Sequence, residues 1–133
     1  VTLGGTPYRQ AELDVSPEMM VVARLGVGFD AVEVPALSKR KIPLMTTGTA
    51  NSVSVAEHAM YMMLAASRLT KKSDRWVREG GWKERLSDLP SDVAGKKVLV
   101  IGMGRIGSRT VKRTVAFEME TFVLDPNSVQ GQS

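Results

Sequence analysis

The residues with the plainest chemical use are Gly102, Gly104 and Gly107, a Gly-x-Gly-x-x-Gly spacing that directly follows the apolar run Val98-Leu99-Val100-Ile101. Gly102 permits a sharp turn after a strand. Gly104 removes the Cβ that would hold a pyrophosphate away from the backbone, and Gly107 lets the following helix pack closely on its strand. Phosphates in such a turn meet the N–H groups of a helix N-terminus and the positive end of its dipole, about half an elementary charge. Glycine makes up 12 of the 133 residues, so the spacing is weak evidence by itself. Its flanks strengthen it. Residues 105–117 have the periodicity of a helix, with Gly107, Val111 and Val115 on one face and Arg109, Lys112 and Arg113 mostly on the wet side. Thr121-Phe122-Val123-Leu124 then reads as a second strand closed by Asp125, 23 residues after Gly102. A carboxylate there accepts hydrogen bonds from adenosine ribose hydroxyls and repels a 2′-phosphate, which favours NAD over NADP. The structural alternative for Asp125 is a turn residue ahead of Pro126.

A second glycine pair, Gly26 and Gly28, follows the apolar stretch Met20-Val21-Val22-Ala23. Glycines at a strand end expose backbone amides, and the N–H groups of Val27 and Gly28 can hold a carboxylate without a specialised side chain. A purely steric strand-to-helix turn is the alternative. The single histidine, His58, falls one turn into an apolar helix and is expected to be a satisfied structural residue. No metal site is expected.

The elements that must position these groups alternate between strand and helix. Residues 1–19 read as loop, short helix and loop, residues 31–41 as a helix with Pro35 near its start, and residues 42–45 as a short strand. Ser54 and Glu57 form a capping box that starts a helix over residues 54–69, apolar around most of its circumference and therefore expected to be buried on most sides. The charged segment 70–84, with Trp76, Val77 and Trp82 interleaved, suggests a helix ending at Gly80-Gly81. Residues 86–95 read as a linker. The apolar run at residues 98–101 has the character of a parallel strand buried on both faces.

Composition excludes several classes. Hydrophobic residues are 43% and charged residues 24%, as in an ordinary folded protein with a core. No apolar run approaches the ~20 residues of a membrane span, and no secretory leader pattern opens the chain. With no cysteine there is no disulfide framework, and a cytoplasmic location is the expectation. The net charge is +4, and seven basic residues fall within residues 68–85. Without an aromatic platform or nucleic-acid motif, they read as the solvated side of a helix, and neither a nucleic-acid nor a membrane partner is expected.

Five ordered blocks resemble the D-isomer-specific 2-hydroxyacid dehydrogenase family, which includes NAD-dependent formate dehydrogenase. They are Ala23-Arg24-Leu25-Gly26-Val27-Gly28-Phe29-Asp30, Asn51-Ser52-Val53-Ser54-Val55-Ala56-Glu57-His58-Ala59, Trp76-Val77-Arg78-Glu79-Gly80-Gly81-Trp82, the stretch 95–107, and Leu124-Asp125-Pro126. The resemblance implies an α/β fold: part of a Rossmann-type dinucleotide-binding domain joined to part of a flavodoxin-like substrate domain, with the active site in the cleft between domains. It divides the chain into residues 1–53 of the substrate domain, residues 54–94 as interdomain or dimer helix and linker, and residues 95–133 as the first βαβ unit of the NAD domain. It implies that Val27 and Gly28 take the substrate carboxylate, that Asn51 contacts substrate, that Arg105 and Ile106 offer N–H groups to the pyrophosphate of NAD, and that Asp125 holds the ribose. A homodimer is implied as well.

The implied activity is NAD-dependent hydride transfer to or from C2 of a small 2-keto or 2-hydroxy acid. The family's substrate-orienting arginine and its histidine–carboxylate pair lie beyond the second Rossmann strand, so no catalytic residue is expected within this chain, and His58 does not match the catalytic motif. The chain also starts late for a flavodoxin-like domain, and residues 127–133 do not resemble a natural ending, so a longer polypeptide is the expectation. Glu118 stands where the family usually has glycine. The rival class is a non-catalytic NAD-binding dimeric module, like the family's corepressor relatives. A third possibility is a complete polypeptide that binds dinucleotide poorly and turns over nothing.

Overall fold

The computed structural model describes residues 2–3 and 5–126; the 127–133 ending considered above lies outside the described residues. The chain forms two compact units, Val1–Ala50 and Asn51–Ser133. The division falls three residues before the 53/54 boundary expected from sequence, and residues 54–94 lie within the second unit.

In the first unit, strands β1 (Thr2–Leu3), β2 (Val22–Leu25) and β3 (Leu44–Thr46) form a parallel sheet in that order, with Arg24 of β2 opposite both Thr2 and Thr46. Parallel neighbours need crossover connections. These carry helices α1 (Gln10–Asp14) and α2 (Val34–Lys39). Leu13, Val22, Val32, Ala36, Leu37 and Ile42 form the core, and truncating a fully buried leucine such as Leu37 to alanine costs about 2–5 kcal/mol. Arg40 ties the helices together by donating from Nη1 to the Leu13 carbonyl at 2.6 Å and pairing through Nη2 with Asp14. β1 was not foreseen, because a two-residue strand has too little length to show a period.

The second unit runs through α3 (Ser52–Ser67), α4 (Thr70–Arg78), a 3-10 helix (Trp82–Leu86), β4 (Lys97–Ile101), α5 (Gly107–Ala116) and β5 (Glu120–Leu124). β4 and β5 are parallel, in register from Lys97 opposite Glu120 to Ile101 opposite Leu124. α3 starts two residues before the expected capping box, and no side chain caps it. Of α3 only Ser52, Ala56 and Met60 are buried, not most of its circumference, because α5 and α4 cover a single stripe. His58 is accordingly exposed rather than buried, its ring 5.6 Å from that of Tyr61. The expectation that β4 is buried on both faces also fails: its exposure alternates, and Ile101 is 76% exposed, because α5 covers one face of a two-stranded sheet. On α5 the buried residue is Thr114, while Val115 faces outward. The Thr114 hydroxyl is satisfied inside the unit, donating to the Val111 carbonyl at 3.0 Å and accepting from the Thr121 hydroxyl at 2.9 Å.

The 86–95 stretch is pinned rather than loose. Ser91 N–H donates to the Ser67 carbonyl at 2.8 Å, Arg68 pairs with Asp92 at 2.8 Å, and Lys72 pairs with Asp88 at 2.6 Å. No helix of the described residues is long and apolar enough to cross a membrane.

α5 closes with paired hydrogen bonds, Glu118 N–H to the Val115 carbonyl at 2.9 Å and Met119 N–H to the Thr114 carbonyl at 3.0 Å. This terminus puts Glu118 in left-handed backbone, φ +58°, a conformation usually given to glycine. Lys41 and Leu69 stop α2 and α3 in the same conformation. A left-handed non-glycine residue costs about 1–2 kcal/mol, against about 0.5–1 kcal/mol for the extra unfolded-state freedom of glycine. Glu118→Gly is therefore expected to stabilise the chain by about 0.5–1 kcal/mol, measured as a higher urea midpoint at unchanged slope; a lower midpoint would contradict this account of the helix end.

Candidate functional site

Two loops, one in each unit, present backbone N–H groups at the C-terminal end of a parallel strand, the edge at which open α/β sheets bind ligands. The second is the larger. After β4, Gly102 turns the chain at φ +96°. Its N–H donates to the Leu124 carbonyl at 2.8 Å, and the next N–H, of Met103, donates to Asp125 Oδ2 at 2.5 Å. α5 then begins, with Ser108 N–H donating to the Gly104 carbonyl at 3.0 Å. Between these paired groups the consecutive N–H groups of Gly104, Arg105, Ile106 and Gly107 have no acceptor among the described residues. They are the unsatisfied donors of a helix N-terminus, gathered in one turn and backed by the helix dipole. Such a nest holds an anion, and two adjoining phosphates suit its span.

The three glycines differ in what they do. A Cβ on Gly107 would lie 1.8 Å from the Gly102 carbonyl oxygen and 2.9 Å from its carbon, so α5 reaches the strand end only because that Cβ is missing. Gly102 requires glycine for its backbone angle. Gly104 has neither restriction. A Cβ there meets no atom of the described residues within 4 Å, and its φ is not left-handed, so nothing among the described residues demands glycine. The open space at Gly104 beside unpaired amides is what close approach of a pyrophosphate needs. Gly102, Gly104, Arg105, Ile106, Gly107 and Asp125 are thus brought together in the second unit.

In the first unit, the N–H groups of Val27 and Gly28 likewise have no acceptor among the described residues. Their loop is held by its carbonyls. Thr47 N–H donates to the Gly26 carbonyl at 3.2 Å, and Arg24 Nε donates to the Gly28 carbonyl. Because a trans peptide is planar, fixing the Gly26 carbonyl also fixes the Val27 N–H in the opposite direction. The roles of Arg24 and Thr47 were missed in the sequence, since neither an arginine side chain nor a distant backbone N–H reaching a loop carbonyl leaves a periodic signal. Asn51 is exposed at the head of α3 in the second unit, where its carbonyl accepts the Val55 N–H at 2.9 Å and its side chain makes no capping bond. Among the described residues no cluster of His, Cys, Asp or Glu could hold a metal ion.

This geometry separates folding from ligand binding. Gly107→Ala should cost several kcal/mol, because backbone must move to admit the methyl. Gly104→Val should leave the unfolding free energy from urea titration within about 1 kcal/mol of the parent and weaken dinucleotide binding more than about 100-fold, measured by NADH fluorescence titration. Retained binding in the valine variant would rule out a phosphate at this loop.

Comparison with known proteins identifies the family of the chain. Residues 60–133 match the family model of the D-isomer specific 2-hydroxyacid dehydrogenase NAD binding domain. D-3-phosphoglycerate dehydrogenase of Archaeoglobus fulgidus is 37% identical over 114 residues, which are 86% of this chain and 21% of that protein. Glyoxylate reductase of Korarchaeum cryptofilum is 32% identical over 128 residues, 94% of this chain and 39% of that protein. Among solved structures, a dehydrogenase from Rhizobium meliloti superposes with a TM-score of 0.85 at 30% identity, over 98% of this chain and 45% of that one. The chain therefore spans less than half the length of each of these relatives. With a parallel strand–glycine turn–helix–strand unit and a matching family model, the chain belongs to the D-isomer specific 2-hydroxyacid dehydrogenases, whose NAD-binding Rossmann-type domain it carries in part.

Proposed function

We propose that this chain binds NAD and the carboxylate of a small 2-keto or 2-hydroxy acid for a dehydrogenase that moves hydride between the nicotinamide and C2 of that acid. The observation that carries the proposal is the run of unpaired N–H groups from Gly104 to Gly107 beside a glycine whose Cβ space is open. In this reading Gly102 and Gly107 shape the turn, Gly104, Arg105 and Ile106 receive the pyrophosphate, and Asp125 accepts from the adenosine ribose hydroxyls. NAD, when bound, supplies the hydride chemistry. The chain's own residues bind and orient: Val27 and Gly28 donate N–H to the substrate carboxylate, and Asn51 donates from its amide to substrate.

Relatives named for 3-phosphoglycerate and glyoxylate support a 2-hydroxy acid substrate class. The same reading takes the protein to be cytoplasmic, with NAD as its soluble partner, and to pair with a second copy through α3. Val53, Tyr61 and Met62 of α3 are exposed large apolar side chains that such pairing would cover. Proton transfer is assigned to no residue of the chain.

The test is a nuclear magnetic resonance titration of the 14.5 kDa chain with NAD and then glyoxylate. NAD is expected to shift the amide signals of Gly104, Arg105 and Ile106. Glyoxylate is expected to shift those of Val27 and Gly28, with NADH consumption at background. Silence at Val27 and Gly28 with any 2-keto acid would remove the carboxylate assignment. Turnover by the chain alone would place a proton-transfer group within it.

A further inference from the structure

Asp125 has a bond that a ribose acceptor does not need. Its carboxylate accepts the Met103 N–H at 2.5 Å. That N–H belongs to the Gly102–Met103 peptide, and a planar trans peptide holds its carbonyl opposite its N–H. The Gly102 carbonyl is the group lying where a Cβ of Gly107 would sit, 1.8 Å away. One peptide therefore has its N–H end held by Asp125 and its carbonyl end lodged against the first turn of α5. Gly102, at φ +96°, is the residue of this loop with the freest backbone, so this peptide is the one most able to turn over if released. The ladder between β4 and β5 stops at Ile101 opposite Leu124, followed by one more bond from Gly102 N–H to the Leu124 carbonyl at 2.8 Å. The Asp125 side chain continues the stitching one residue further. Met103 is where the paired donors end and the unpaired nest begins.

We infer that Asp125 is a positioning residue for the phosphate loop as well as the ribose acceptor: its carboxylate locks the Gly102–Met103 peptide and so aims the Gly104–Gly107 donors before any cofactor arrives. The inference rests on the phosphate-loop reading above and extends it. It predicts a sign that electrostatics alone gives the other way round. A carboxylate next to a phosphate site repels the phosphate, so a residue acting through charge alone would weaken pyrophosphate binding, and its removal would tighten it. A residue acting as a lock strengthens binding, and its removal loosens it.

The two variants Asp125→Asn and Asp125→Ala separate these effects, because an asparagine carbonyl still accepts the Met103 N–H while the charge is gone. Inorganic pyrophosphate is titrated into the full chain and each variant, followed by amide shifts of Arg105 and Ile106, and Met103 amide hydrogen exchange is measured without ligand. In the alanine variant, Met103 exchange is expected to speed up and the pyrophosphate dissociation constant to rise, each about tenfold, as for loss of one charge-assisted hydrogen bond. The asparagine variant is expected to keep Met103 protection and to bind pyrophosphate at least as well as the parent. Unchanged Met103 exchange in the alanine variant, or equal tightening in both variants, would overturn the lock. NAD and NADP titrations of the same proteins report separately on the ribose role, since both variants should lose the preference for NAD. Parent chain that takes up neither pyrophosphate nor NAD would remove the phosphate-loop reading and the lock's function with it.

Discussion

The approach of α5 to the end of β4 is the contact on which the second unit depends. The Gly102 carbonyl occupies the place of a side chain at Gly107, so the first helical turn sits directly against the strand end. Three consequences follow from that approach. The helix N-terminal donors gather at the C-terminal edge of the sheet, the position that suits an anion. Thr114 is carried inward, where its hydroxyl joins that of Thr121 at 2.9 Å and links helix to strand. The face of α5 toward α3 is also set, with Arg113 pairing with Glu57 at 3.1 Å.

Both units use one device to keep amides available. An N–H group binds an anion only if the fold has not already given it an acceptor. At Val27 and Gly28, neighbouring groups take the loop's carbonyls, through Thr47 and Arg24, and leave the N–H groups unpaired. At residues 104–107 the preceding N–H groups are satisfied by Leu124 and Asp125, and the unpaired run begins after them. In each case a glycine with positive φ, Gly26 or Gly102, makes the turn that separates the two kinds of group. Anion recognition of this type asks nothing of side-chain identity in the loop, which suits the varied residues at positions 27, 103, 105 and 106.

The exposed apolar surface has a simple origin. β4 pairs only with β5 among the described residues, and one helix covers one face, so Leu99 and Ile101 point outward from a strand whose composition suits burial on both sides. α3 shows the same mismatch, with an apolar circumference and one buried stripe. Segments with more apolar surface than their own chain covers are suited to packing against further protein.

The glycine turn and the elements flanking it were legible because each rests on a local rule: a turn needs glycine, and helix and strand each have their period. Element edges were less legible. α2, α3 and α5 all stop at a non-glycine residue in left-handed backbone, Lys41, Leu69 and Glu118, and such stops carry no composition signal. Burial was legible only as potential, because an apolar pattern records what a segment tolerates, and cover depends on partners distant in the chain. By itself, then, the sequence determined a parallel α/β fold with a glycine turn at Gly102, Gly104 and Gly107. Only the tertiary structure decided which amides remain unpaired, that Arg24 and Thr47 hold one loop, and that Asp125 reaches Met103. The physical reason is that hydrogen-bond partners are chosen across space, after strands have paired and helices have packed, and local sequence constrains that choice only weakly.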